Sequence, residues 1–223
     1  MMRFTARGLI VAGLLTFSSA IAAQAGFSGD EQNPTLHIVP TEIAMDVPMP
    51  VSGANLTALL ARADNGASLS DLKEAALRKY RRHLRDRLSL QLNAFFTDEA
   101  VPLVAREGLL TLQNRLDIKV IKHLSNLKNE GDYELERGTV ELKGRYYHRL
   151  RDVAGRTLRE YNLDIADLGV REEYRVRKPR SGGTAEDNTE EAIKLALSGM
   201  VEEILDEIDG ELDAGELEDL VSG

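Results

Sequence analysis

The chain is 223 residues long, carries 37 acidic against 28 basic side chains for a net charge of −9, is 43% hydrophobic and has no cysteine. That length and apolar content suit one domain whose core needs no covalent staple. The missing cysteines exclude disulfides, thiolate-held metals and a lipid-modified cysteine anchor, and the acidic balance argues against general binding to nucleic acid.

Residues 1–25 read as a secretory signal peptide. Arg3 and Arg7 supply the positive start, Gly8 to Ala22 form an uncharged and mostly apolar run, and Ala23-Gln24-Ala25 offers small residues for cleavage. The run is shorter than a bilayer span of roughly 20 residues, so cleavage is expected, with an uncleaved anchor as the alternative. The address this implies is a Gram-negative periplasm, or secretion.

Gly26 to Pro34 is a polar leader. Leu36 to Met45 is apolar enough for a strand, which Pro40 confines to an edge or splits in two. A short helix is expected from Asn55 to Ala63, stopped by Asn65-Gly66. A long helix follows, capped by Ser68 with Asp71 three residues on, whose core stripe is Leu69, Leu72, Ala76, Tyr80, Leu84, Leu88, Leu92 and Phe95. Leu109, Leu112, Leu116, Val120, His123 and Leu127 share a helical face, so 109–127 is expected as a second helix, although Leu116 to Ile121 equally fits a short strand.

From Thr139 the period switches to two, with Val140, Leu142, Gly144, Tyr146, His148 and Leu150 on one side of a strand. Asp152 to Gly155 is a turn, and Tyr161, Leu163 and Ile165 face inward on the return, giving a hairpin over 139–165. Val170, Tyr174 and Val176 offer a further strand. Residues 179–188 read as a linker, 189–209 as a closing helix capped by Thr189 or Asn188, and 210–223 as a solvated acidic tail. The domain from 26 to 178, closed by that last helix, is therefore expected as α+β, an antiparallel sheet of three or four strands with long amphipathic helices on one face. In layout it resembles small accessory proteins of the bacterial envelope, without a motif that identifies a family.

Chemistry-bearing patterns are sparse. Ser70 and Lys73 match the S-x-x-K spacing of serine β-lactamases, but the companion elements are missing and a helix start explains them. His37, His83, His123 and His148 lack any zinc-binding spacing, and a calcium loop from Asp209 would put Ala214 where glycine is required. No cofactor and no metal is expected. His148, inward between Tyr146 and Leu150, is the candidate polar site, whereas His83 reads as a solvated helix residue. Arg78, Lys79, Arg81, Arg82, Arg85 and Arg87 form the candidate partner-binding face, open to an acidic protein, an anionic surface or the chain's own acidic end.

The expected function is a noncatalytic periplasmic or secreted accessory protein that binds another envelope component, most simply a protein, through charged surfaces, with membrane-surface contact allowed and nucleic acid excluded. The alternatives are a hydrolase in which Asp164 would orient His148, and a carrier of a small apolar ligand.

Overall fold

The structure, a computed structural model, describes residues 34–49 and 69–222. The expected signal segment, most of the leader and the 55–63 helix lie outside the described residues. Strands β1 (Leu36–Ile38) and β2 (Glu42–Asp46) are followed by helix α1 (Leu69–Asp98), then β3 (Leu110–Glu130), β4 (Tyr133–Asp152) and β5 (Thr157–Asp164). A 3-10 turn over Ile165–Leu168 leads to β6 (Arg171–Pro179) and β7 (Glu186–Asp187), and helices α2 (Thr189–Leu212) and α3 (Ala214–Ser222) close the fold.

The sheet corrects the expected fold class. Among the described residues it has seven strands and is mixed, not three or four and antiparallel. β1 and β2 pair in parallel with β3. β3 and β4 pair antiparallel along nearly their whole length, and β5 and β6 both add antiparallel to β4, β7 following on β6. Pro40 splits the first strand position in two, and the 3-10 turn splits the position beyond β4.

The 109–127 segment is also corrected: it is strand β3, not helix. Leu110, Leu112, Asn114, Leu116, Ile118 and Val120 are buried at alternate positions, while Arg115, Asp117 and Lys119 are exposed between them. Asn114 breaks the apolar alternation on the buried side and so weakens the strand signal. The ladder with β4, from Leu110 opposite Asp152 to Glu130 opposite Tyr133, overrides the helical spacing of the leucines.

Helices α1 and α2 lie side by side on the face that carries these buried residues. Leu77, Tyr80, Leu84, Leu88, Leu92 and Phe96 form the inner stripe of α1, so the stripe ends on Phe96, and the expected Leu69 is largely exposed. α2 contributes Ile193, Leu197, Met200, Val201, Ile204 and Ile208. Its Asn188 does not cap with its side chain, because Asn188 Oδ1 accepts from the Arg175 N–H at 2.6 Å. Asp187 Oδ1 accepts from the Thr189 N–H instead, at 2.8 Å.

The C-terminal segment is not a solvated tail. α2 continues to the buried Leu212, Asp213 Oδ1 accepts from the Glu216 N–H at 2.9 Å to start α3, and Leu217 is fully buried. Arg159 on β5 holds this end, donating to the Glu211 carbonyl at 2.6 Å and to Glu216 Oε2 at 2.5 Å. Within the expected linker, Glu186 and Asp187 pair with β6. No helix among the described residues is long and apolar enough to cross a membrane.

Two predictions follow from this packing. Gly144 has φ +135°, and a Cβ there would lie 1.9 Å from the Asp117 carbonyl oxygen on β3, so Gly144→Ala is expected to cost about 3 kcal/mol in urea unfolding. Leu217→Ala is expected to cost about 2–4 kcal/mol, because it empties a buried site. A cost near zero by the same measurement would mean that α3 is not part of the core.

Candidate functional site

The basic run of α1 divides into two sets. Lys79 pairs with Glu190 and Arg87 with Glu202, both at 2.5 Å and both on α2. Arg81 reaches the Met45 carbonyl at 3.4 Å. His83 lies between the helices, with Nε2 at 3.1 Å from Ser198 Oγ and 3.2 Å from the Lys194 carbonyl oxygen, so it is a helix–helix contact and not a solvated residue. Lys79, His83 and Arg87 sit on the flank of α1 that meets α2, where opposite charge lowers the cost of bringing two polar helix flanks together, whereas Arg81 lies on the opposite flank, toward β2. Arg78, Arg82 and Arg85 point outward and form no ion pair among the described residues. Arg85 also lines a groove of about 360 Å³ with His37, Pro40, Ser89, Asn93 and Val104, opened where Pro40 interrupts the edge strand.

His148 occupies the other candidate position. It is fully buried on β4, directly opposite Asn114 on β3 and Tyr161 on β5. Its ring stacks on Tyr161 with centroids 5.4 Å apart and planes at 19°, and Tyr146 lies 5.8 Å away. Tyr146 donates its hydroxyl to Asn114 Oδ1 at 2.8 Å, and burial pushes that phenol well above its ordinary range. Neither ring nitrogen of His148 has a hydrogen-bond partner. Burial, and to a lesser degree the nearby Arg159 guanidinium, lowers its pKa from 6.5 to about 4, so the ring is neutral at physiological pH.

Asp164 does not orient this ring. It pairs across from Arg145, and its Oδ1 accepts from the Ala166 N–H at 3.0 Å to cap the 3-10 turn. Among the described residues no carboxylate reaches the buried imidazole, which packs against Tyr146 and Tyr161. Lys73, the other half of the S-x-x-K match, pairs with Asp46 at 2.7 Å. His123 contacts Glu141 at 2.8 Å on the exposed part of β3, and this contact, with Arg171, holds the Glu141 carboxyl below its usual range. No cluster of ligating side chains that could hold a metal occurs among the described residues.

The face of the sheet away from the helices carries the other strong charge pattern. Arg115, Lys119, Lys143 and Arg145 are exposed on adjacent strands, with Lys119 directly opposite Lys143, and the exposed carboxylates of Glu42, Asp46 and Asp117 stand in register opposite Arg115, Lys119 and Arg145, so the face is of mixed charge. None of the four forms an ion pair among the described residues, whereas Arg149 is held by Glu160 at 2.7 Å and by the Tyr147 hydroxyl at 2.8 Å. A smaller groove of about 260 Å³ lies at the edge of this face, between Pro40, Glu42, Gln113, Arg115 and Tyr147. The alternation from Thr139 leaves Arg145 and Arg149 on this face, whereas Arg115 and Lys119 are not legible, because their segment fits a helical period as well as an alternating one.

No protein-family profile matches the chain, and no curated protein matches it. Among solved structures, a Helicobacter pylori protein described as a homolog of neuraminyllactose-binding hemagglutinin aligns with 87% of this chain and 95% of its own at 11% identity and a TM-score of 0.50. A minor lipoprotein from Acinetobacter baumannii aligns with 80% of this chain and 94% of its own at 13% identity, with a TM-score of 0.30. The first likeness shows a shared fold; the second is too loose to support an argument.

The buried imidazole has a measurable consequence. The unfolded chain binds the His148 proton near pH 6.5 and the folded chain only near pH 4. Stability therefore falls as pH drops through that window, by up to about 3 kcal/mol. His148→Phe keeps the stack on Tyr161 and is expected to remove this component in urea unfolding between pH 7 and pH 4, leaving the part due to the carboxylates. An unchanged pH slope in the variant would show that the ring titrates normally.

Proposed function

We propose that this chain is a noncatalytic accessory protein of the bacterial cell envelope, exported to the periplasm or secreted, which docks a protein partner through the outward basic residues of α1. The observation that carries the reading is the division of the basic run. Lys79, Arg81 and Arg87 are consumed in tying α1 to its neighbours, while Arg78, Arg82 and Arg85 remain exposed and unneutralised among the described residues. Cations that the fold does not use, gathered on one helix face, favour and orient an acidic partner.

The envelope address rests on the signal-like residues 1–25 and is supported by the fold held in common with the H. pylori protein. The reading as a hydrolase loses its support because His148 is sealed and Asp164 is engaged in a cap. The apolar-carrier reading gains none, since the buried leucines of α1, α2, β3 and β4 pack against one another as a single core.

The test is crosslinking of the tagged protein in the cell that makes it, followed by identification of the captured partner. Arg78→Glu, Arg82→Glu and Arg85→Glu together are expected to cut capture of that partner by about tenfold or more, with folding judged by circular dichroism. Equal capture by the variant would remove α1 as the docking face. A product found in the cytosol with residues 1–25 retained would remove the envelope address. Deleting 210–223 is not a clean alternative, because Leu212 and Leu217 are core residues of the segment it disrupts.

A further inference from the structure

Around β1 the backbone alternates between two sides. The Thr35 carbonyl accepts from the Leu110 N–H at 3.0 Å and the Val39 N–H donates to the Leu112 carbonyl at 2.9 Å, so these residues turn toward β3. Leu36 and Ile38, between them, turn the other way. Leu36 is met there by the 102–104 stretch, its N–H donating to the Pro102 carbonyl at 2.9 Å and its carbonyl accepting from the Val104 N–H at 3.0 Å. That pairing stops after one residue, because the chain bends at Ala105 and Arg106. Neither the N–H nor the carbonyl of Ile38 has a partner among the described residues.

The gap so left is the groove of about 360 Å³ beside Pro40. Ile38, Leu92 and Leu103 give it apolar walls, and Arg85, two turns before Leu92 on α1, gives it a guanidinium. No aspartate or glutamate lines it, and Arg85 forms no ion pair among the described residues. An open strand edge is completed by the backbone of another extended segment, an apolar wall by side chains at alternate positions, and a free guanidinium by a carboxylate. One ligand class supplies all three. We infer that the groove takes a short extended peptide segment of the partner, which pairs with the Ile38 backbone and sets a carboxylate on Arg85.

This inference rests on the reading of α1 as the docking face and narrows it, since Arg85 lines the groove while Arg78 and Arg82 lie outside it. Two backbone hydrogen bonds and one charge-assisted pair make a small contact, which suits one segment of a larger partner that Arg78 and Arg82 also hold. A free small carboxylate would satisfy Arg85 but leave Ile38 unpaired.

Selection from a randomised library of short peptides against the purified protein supplies the probe. Enriched peptides are expected to carry Asp or Glu, and the tightest of them, titrated into isotope-labelled protein, is expected to shift the amide resonances of Ile38, Val104 and Ala105. Arg85→Gln and methylation of the peptide's backbone nitrogens are each expected to weaken binding by about tenfold or more. Changing the peptide's acid to its amide costs as much with the wild type and nothing further with Arg85→Gln. Ala105→Trp, which fills the groove and leaves every α1 cation in place, is expected to abolish binding. A library that yields no peptide, or peptides that bind Ala105→Trp as well as the wild type, overturns the inference. So does acetate alone shifting the same amides as strongly as the peptide, and so do contacts from the chain's own residues 50–68 to Ile38. Crosslinking in the cell separates the two readings. A partner captured equally by Ala105→Trp and the wild type, yet lost from the triple Arg78, Arg82 and Arg85 reversal, keeps α1 as the docking face and removes the groove. A partner lost from Ala105→Trp but retained by the reversal of Arg78 and Arg82 alone keeps the groove and removes the rest of the α1 face.

Discussion

The backbone ladder between β3 and β4 is the constraint on which the described structure depends. Each of the other strands, β7 excepted, pairs directly with one of these two, β1 and β2 on the outer edge of β3, β5 and β6 on the outer edge of β4. Because side chains alternate along a strand, the register of this one ladder decides which residues meet the helices and which meet water. A slip of β3 by one residue against β4 would carry Leu110, Leu112, Leu116 and Ile118 to the open face while Tyr146 on β4 stayed inside. Two glycines allow the close approach that the ladder needs. A Cβ at Gly138 would lie 2.0 Å from the His123 carbonyl oxygen and against the Tyr174 ring, and Gly144 is equally crowded by Asp117.

Tyr174 shows how the region around Gly138 is sealed. Its ring covers the glycine, its hydroxyl donates to Glu136 at 3.0 Å, and the Lys122 ammonium lies 4.3 Å from its ring centre while also pairing with Glu136 at 3.0 Å. One aromatic side chain thereby closes the end of the core and leaves neither a carboxylate nor a cation there without a partner. The centre of the same sheet face is handled differently. Asn114 and His148 place polar side chains deep in the core, with the partly buried Tyr161 stacked on the imidazole, and only part of the hydrogen-bonding capacity of Asn114 and His148 is used. Buried groups of this kind cost stability and discriminate against other packings of the strands, since few registers keep them aligned.

Charge is distributed by the same logic of faces. Where α1 meets α2, opposite charges are matched through Lys79 with Glu190 and Arg87 with Glu202, so the flanks of two helices of unlike charge become an internal boundary. At the C-terminus, Arg159 satisfies Glu211 and Glu216 and draws an acidic segment onto the sheet. What remains after these pairings is a basic patch on α1 and an acidic one on α2, while the open sheet face sets Glu42, Asp46 and Asp117 opposite Arg115, Lys119 and Arg145. The net charge of −9 conceals this arrangement entirely.

Periodicity and punctuation in the sequence determined α1, the β4–β5 hairpin, the interruption at Pro40 and α2, because each signal is local: apolar residues recur at one period over many residues, or a proline removes a donor. Only the tertiary structure decided the rest. Whether 109–127 became strand or helix depended on the partner ladder of β4, since its leucines satisfy both periods. Whether 210–222 dissolved or packed depended on Arg159 and on an apolar seat for Leu217, neither visible from an acidic composition. Which of the six α1 cations stayed available depended on α2, far along the chain, and on the Met45 carbonyl that Arg81 reaches. In every such case the deciding contact joins residues distant in sequence, and a local pattern cannot express the energy of a partner that only the fold brings near.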